Sequence, residues 1–263
     1  MLTDRLPNPV VDVEAELSKA IAKLRGVRVD ALIGKTDKKN ADFLFDDFAA
    51  IAELKVLEVD QIQTERFVSK CSVIYERYLK EGRAPVRVFG TARLKTDAFP
   101  EEFRREIADL YSVPLRRVIK SADEQIGSTM RLLDRHGYSG VLILVNDGNT
   151  ALDPSHIVWC LGEHLRDGQF KNICGVIFFT VNMAMKNDTR LMGSIGVPHD
   201  MDLHVWYEGG RRDTPSVHPA FMSALRSAWF EHLSVIVGRV AEVHGSKELL
   251  HTLENADRVD VGR

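Results

Sequence analysis

The chain has 263 residues, 44% of them apolar and 28% charged, with 35 Lys+Arg against 38 Asp+Glu. That length and composition describe a folded globular protein that needs no disulfide or metal to hold its core, and they exclude a disordered or collagen-like chain. The net charge of −3 excludes a histone-like or polybasic-tail binder, but leaves room for a nucleic-acid enzyme that is basic only in a cleft. Residues 12–25 predict a first helix, with Val13, Leu17, Ala20, Ile21 and Leu24 on one stripe and Glu14 and Glu16 at its margins. A charged stretch at 35–40 precedes the short apolar segment Phe43-Leu44-Phe45, and Asp46-Asp47 suits a turn. The second half of 48–57 predicts an alternating strand, with Ile51, Glu53 and Lys55 on one face and Ala52, Leu54 and Val56 on the other. Residues 61–80 predict a helix, 86–90 a weaker strand, and Pro100-Glu101-Glu102 a helix start. Pro114 is expected to break that helix, with a second one running over 115–135.

Gly140–Asp147 is apolar on both faces, as in a central strand covered on both sides. Asp153-Pro154 opens a helix carrying Ile157, Val158, Leu161 and Leu165, and Ile173–Val181 is the next buried strand. Strand, helix, strand implies a parallel crossover unit. A loop over 182–196, a strand over 201–207 and a long helix over 219–243 complete the reading. No repeat or linker divides the chain, so residues 1–263 are expected to form a single α/β domain with a C-terminal α/β elaboration.

The chemistry concentrates in two segments. Asp42 opens the first apolar segment, and eleven residues later the next one carries Glu53-Leu54-Lys55. Residues i and i+2 of a strand share a face, which puts the Glu53 carboxylate beside the Lys55 ammonium. If 42–45 and 51–56 are antiparallel neighbours, Asp42 approaches the same point. Two carboxylates so placed repel unless a cation lies between them. Mg²⁺, which prefers oxygen ligands and keeps several waters, suits the position, and Mn²⁺ is an acceptable substitute. Lys55 would then face a scissile phosphate and the attacking water, as metal-assisted phosphodiester hydrolysis requires. A turn-capping Asp42 with a surface Glu53–Lys55 pair on a half-buried hairpin is the simpler structural alternative. Against it, charges that interrupt an apolar strand cost stability unless they are used.

Asp42 with Glu53-Leu54-Lys55, in this order of elements, resembles the PD-(D/E)xK nuclease superfamily. The resemblance implies a restriction-endonuclease-like α/β core, a mixed central sheet flanked by helices, built as helix, three-strand meander, helix and further strand. Residues 12–25, 27–57, 61–80 and 141–146 would supply these in turn, so the likeness covers about the first half of the chain. It implies that Asp42 and Glu53 hold the metal and that Lys55 positions or activates water and steadies charge on the phosphate. Many members add a glutamate from the first helix. Glu16 and Glu14 are both candidates, with Glu16 slightly favoured. The family's Pro before the Asp is Ala41 here, and no Gln-x-x-x-Tyr motif occurs downstream, which leaves Gln61 and Gln63 with little to do.

Residues 83–120 hold nine Lys+Arg against five acids, a local positive stretch suited to backbone phosphates or, more simply, a solvated helical face with intrahelical pairs. Arg190 and Arg211-Arg212 lie in loops that could reach a backbone. His199, Asp200, Asp202 and His204 could bind zinc or manganese, although a polar edge strand explains them as well. Asn146-Asp147-Gly148-Asn149 follows a buried strand, a frequent ligand position that turn chemistry also explains. Dinucleotide, P-loop, nucleophile-elbow and His-Glu-x-x-His motifs are absent. Cys71, Cys160 and Cys174 are too far apart for a Cys-x-x-Cys site and read as reduced thiols of a cytoplasmic protein. Residues 1–7 hold no apolar run, so no signal peptide is expected, and the longest apolar stretches, Val141–Val145 and Val176–Phe179, are too short to span a bilayer, so no membrane role is expected. The expected activity is an Mg²⁺-dependent endonuclease acting on nucleic acid, DNA before RNA, and leaving a 5′-phosphate by family analogy. A homodimer would let it cut two strands, with 115–135 or 219–243 as its interface. The rival expectation is a non-catalytic nucleic-acid- or protein-binding module on the same fold.

Overall fold

The structure, a computed structural model, describes residues 10–34, 39–58, 64–84, 99–149, 154–166, 168–185, 206–210, 217, 219–238 and 258–260. The chain divides into two compact units, Met1–Glu58 with Ile119–Arg263, and Val59–Val118.

The larger unit is a mixed six-stranded sheet flanked by helices. Helix α1 (Val13–Lys23) starts where the Asp12 carboxylate accepts a hydrogen bond from the Ala15 N–H. It buries Val13, Leu17, Ala20 and Ile21, the expected stripe. Gly26 follows where a Cβ would come within 2.5 Å of both Ile21 and Phe45, so no larger residue lets the chain turn so tightly into the sheet. Strand β1 (Val27–Arg28) and helix α2 (Val29–Ile33) lead to β2 (Phe43–Phe45). A 3₁₀ turn at Asp46–Phe48 and the left-handed Ala49 (φ 47°) then reverse the chain into β3 (Ala50–Leu57). This is the antiparallel meander expected between 27 and 57.

Strand β4 (Ser139–Asp147) pairs parallel with β3, and β5 (Ile173–Val181) pairs parallel with β4 across helix α5 (Pro154–Arg166). Both strands are almost wholly buried, as their continuous apolar sequences require. Strand β6 (Met183–Met185) pairs with β8 (Arg258–Asp260) in a separate ribbon. Strand β7 (Trp206–Gly210) adds antiparallel to β5, completing the order β1-β2-β3-β4-β5-β7. Helix α6 (Pro219–Val237) ends within the span expected for the last helix. Among the described residues no helix is long and apolar enough to cross a membrane.

The sheet separates two chemistries. On one face Phe43, Phe45, Ala50, Ala52, Leu54, Val141, Ile143 and Val145 form the main core with α1 and with Phe221, Leu225 and Trp229 of α6. The alternate residues Ile51, Glu53 and Lys55 face the other way. There Ile126, on helix α4 (Glu101–Leu132), lies so close to Gly140 that a Cβ at Gly140 would approach it to 2.7 Å. Asp123 fixes the same helix to the start of β5 by accepting from the Asn172 and Ile173 N–H groups at 2.7 and 3.1 Å.

Helix α4 corrects the expected break at Pro114: it runs through the proline without interruption. Proline removes one hydrogen bond and crowds the preceding turn. Leu115 and Ile119 are buried in the turns after it.

In the smaller unit, helix α3 (Glu65–Lys80) begins at Thr64, whose hydroxyl accepts from the Phe67 N–H. It packs on the first turns of α4 through edge-to-face Phe67–Tyr111 and Tyr78–Phe103 contacts. Glu106 accepts from the Tyr78 hydroxyl at 3.0 Å and pairs with Arg77. The weak strand expected at 86–90 lies outside the described residues.

Candidate functional site

The β2–β3 ladder builds the site. Phe43 pairs with Ala52, so one step further along the same register Asp42 stands opposite Glu53. The Asp42 carboxylate is anchored by accepting from the Leu54 N–H at 2.9 Å. Glu53 is 1% exposed. One of its oxygens, Oε1, accepts from Lys55 Nζ at 2.5 Å, whereas the other, Oε2, is buried without a hydrogen-bond partner. Alternation along β3 therefore does what the sequence implied: it presents the acid and the ammonium on one face, and the cross-strand register brings the second acid to them.

Burial pushes the Glu53 carboxyl up to about 8, the Asp42 charge pushes in the same direction, and the Lys55 hydrogen bond opposes both without prevailing. An ionised Glu53 therefore has one buried oxygen with no donor. Either a proton or a cation relieves it.

Helix α4 closes the site with three polar residues spaced one turn apart, Ser121, Gln125 and Thr129. Gln125 Oε1 accepts from Lys55 Nζ at 2.8 Å and from the Ser121 hydroxyl at 3.0 Å, while its Nε2 donates to the Asn40 carbonyl at 3.1 Å. The Thr129 hydroxyl, fully buried, accepts from the Ala41 N–H at 2.8 Å. Sequence reasoning missed this trio. Its signal was present as a polar residue every fourth position beside the buried Ile119, Ala122, Ile126 and Met130.

Glu16 does not join. Helix α1 lies on the opposite sheet face, and both Glu16 oxygens are engaged there, Oε1 with Lys19 Nζ at 2.7 Å and Oε2 with His232 Nε2 on α6 at 2.6 Å. These partners, Lys19 first, lower the Glu16 carboxyl below its ordinary range. Glu14, the other candidate, is exposed. The expectation of a third acid from the first helix is corrected by the packing direction of that helix. Consistent with this, no group of three or more His, Cys, Asp or Glu side chains suited to a metal gathers among the described residues.

The remaining candidates divide between structural roles and undescribed segments. The Asn146 side chain exchanges hydrogen bonds with the Asn149 backbone. Asp147 accepts from Asn182, whose amide also clasps the Val11 backbone through both its N–H and its carbonyl. Turn and tether chemistry thus accounts for this corner. In the basic stretch, Arg83 pairs with Glu102, Arg104 with Glu101 and Lys120 with Glu124, as on a solvated helical face. The cysteines are free, with Cys160 and Cys174 buried, and burial raises the Cys71 thiol. Gln61, Gln63, Arg87, Arg93, Lys95, Arg190, His199, Asp200, Asp202, His204, Arg211 and Arg212 lie outside the described residues. Comparison of the chain with protein-family models, curated proteins and solved structures finds no match.

Proposed function

We propose that the chain is a restriction-endonuclease-like nuclease of the PD-(D/E)xK type, hydrolysing phosphodiester bonds of nucleic acid, DNA before RNA, with Mg²⁺ or Mn²⁺. The observation that carries this reading is the convergence of Asp42, Glu53 and Lys55 on one sheet face, with a buried Glu53 oxygen left unmatched. A surface salt bridge would leave no such oxygen. The order helix, antiparallel meander, helix, parallel strand also supports it.

The residues fit a divalent cation. Asp42 and Glu53 would hold it, and two carboxylates with the remaining positions left to water suit Mg²⁺. Such an ion supplies Lewis acidity and an acidified water. The chain's own contribution is then definite. Asp42 is oriented by the Leu54 N–H, and Glu53 would offer the ion its buried oxygen that has no hydrogen-bond partner. Lys55, with 24% of its side chain exposed, can direct its ammonium to a phosphate oxygen or the attacking water.

The test is incubation of labelled plasmid, linear and single-stranded DNA, and RNA, with Mg²⁺ or Mn²⁺, beside an EDTA control and the Lys55→Ala variant. Metal-dependent cutting that yields 5′-phosphates and disappears in Lys55→Ala is the expected result. A folded protein that binds these substrates without cutting any of them would instead favour a binding module.

A further inference from the structure

We infer that Gln125 is the positioning residue of this site, acting through Lys55 and through the segment that carries Asp42; the inference deepens the nuclease reading and rests on it for its catalytic meaning. A lysine ammonium has three protons and a long, rotatable stem. Here one proton goes to Glu53 Oε1 and a second to Gln125 Oε1, leaving the third for a substrate or water. Two acceptors on different elements, a strand and a helix, restrict the stem to one direction.

The Gln125 amide is itself held in one orientation. Its oxygen receives from Lys55 and from the Ser121 hydroxyl, and its nitrogen gives to the Asn40 carbonyl. A flipped amide would set donors against the ammonium and an acceptor against the carbonyl, losing both contacts. One turn on, Thr129 holds the Ala41 N–H. Helix α4 thus grips two successive backbone groups immediately before Asp42 and, through the same glutamine, the ammonium of Lys55. The spacing between the acid-bearing strand end and the lysine is set by one rigid element. An amide can accept from a cation through its oxygen and donate to a carbonyl through its nitrogen at once. A glutamate would keep the first contact and lose the second, and a methionine of similar length would lose both.

The test uses the full chain with Gln125→Met and Gln125→Glu. Thermal unfolding establishes that each is folded. The NMR signal of the Lys55 ammonium, assigned by its loss in Lys55→Ala, reports the clamp without any substrate. Cleavage reports its catalytic use. We expect the ammonium signal to be sharp in the wild type, lost to solvent exchange in Gln125→Met and retained in Gln125→Glu. Turnover should fall roughly 10–100-fold in Gln125→Met, the usual cost of losing an orienting partner, with KM little changed. Gln125→Glu, which lacks the tie to Asn40, should also turn over more slowly than wild type. An unchanged ammonium signal and unchanged turnover in a folded Gln125→Met would overturn the inference and leave Gln125 a packing residue. If Gln125→Met does not fold, wild-type turnover in Gln125→Glu overturns it equally. A signal that depends on Gln125 in a wild-type protein that cuts nothing would uphold the clamp on Lys55 while removing the nuclease reading.

Discussion

Glu53 stands across the β2–β3 ladder from Asp42, and one Glu53 oxygen is buried without a hydrogen-bond partner. With its carboxyl near 8, Glu53 is largely protonated at neutral pH. A divalent cation must displace that proton to bind. Titration calorimetry with Mn²⁺ at pH 7, repeated in buffers of different ionisation enthalpy, should therefore register the release of close to one proton per site. Above pH 9 the release should vanish and the affinity should rise. Binding without proton release at pH 7 would show that the Glu53 carboxyl is already ionised there and that its upward displacement is wrong.

The raised carboxyl also gives the metal-free protein a pH dependence of definite sign. The Glu53 carboxyl lies near 8 in the fold against an ordinary 4.5. Between those values the native state binds more protons than the unfolded chain, so stability falls as pH rises through that window. The loss is on the order of a few kcal/mol, because a tenfold difference in proton affinity is worth about 1.4 kcal/mol. Urea unfolding with EDTA from pH 5 to pH 9 should show the decline. Glu53→Gln, which cannot ionise, should flatten it.

Lys55 opposes the upward displacement of the Glu53 carboxyl, so removing its charge has two separable effects. Lys55→Met keeps the length of the stem and should lower turnover roughly 10²–10⁴-fold, the range for loss of a proton-transferring or charge-stabilising group. It should also move proton release on Mn²⁺ binding to higher pH, because burial and Asp42 then act on Glu53 without opposition. Lys55→Arg keeps the charge but not the compact ammonium, and should leave the proton release near its wild-type pH while restoring little turnover. Equal turnover in Lys55→Met and wild type would separate this lysine from the chemistry.

The difference between what was legible in the sequence and what was not follows from the range of each rule. Asp42, Glu53 and Lys55 could be placed together because strand alternation is local and a short hairpin turn fixes the register. Gln125 lies 70 residues from Lys55. Its one-turn spacing with Ser121 and Thr129 is also what a solvated helix face would show, so only the path of α4 across the sheet gives it meaning. Glu16 does sit at the margin of its helical stripe, as the periodicity implies. A helical wheel, however, says which side of the helix is apolar and not which face of the sheet that side will cover. The break expected at Pro114 follows from a local cost that burial of Leu115 and Ile119 outweighs.

The position of Glu16 yields the sharpest separation of structural from catalytic acids. It bonds to Lys19 and to His232 across the α1–α6 seam, on the sheet face opposite Glu53. Its carboxyl is lowered by these partners, so the stability it contributes is present above the ordinary carboxylate value and is lost as pH falls through the lowered one. Glu16→Gln should make the protein less stable near neutral pH and narrow that difference toward acid. Because the seam does not reach Asp42 or Glu53, Mn²⁺ affinity, proton release and turnover should all match the wild type. His232→Gln should reproduce the stability change, and the two substitutions together should cost less than their sum, since each removes the same contact. A loss of metal affinity in Glu16→Gln, with the fold intact, would instead bring the first helix into the site.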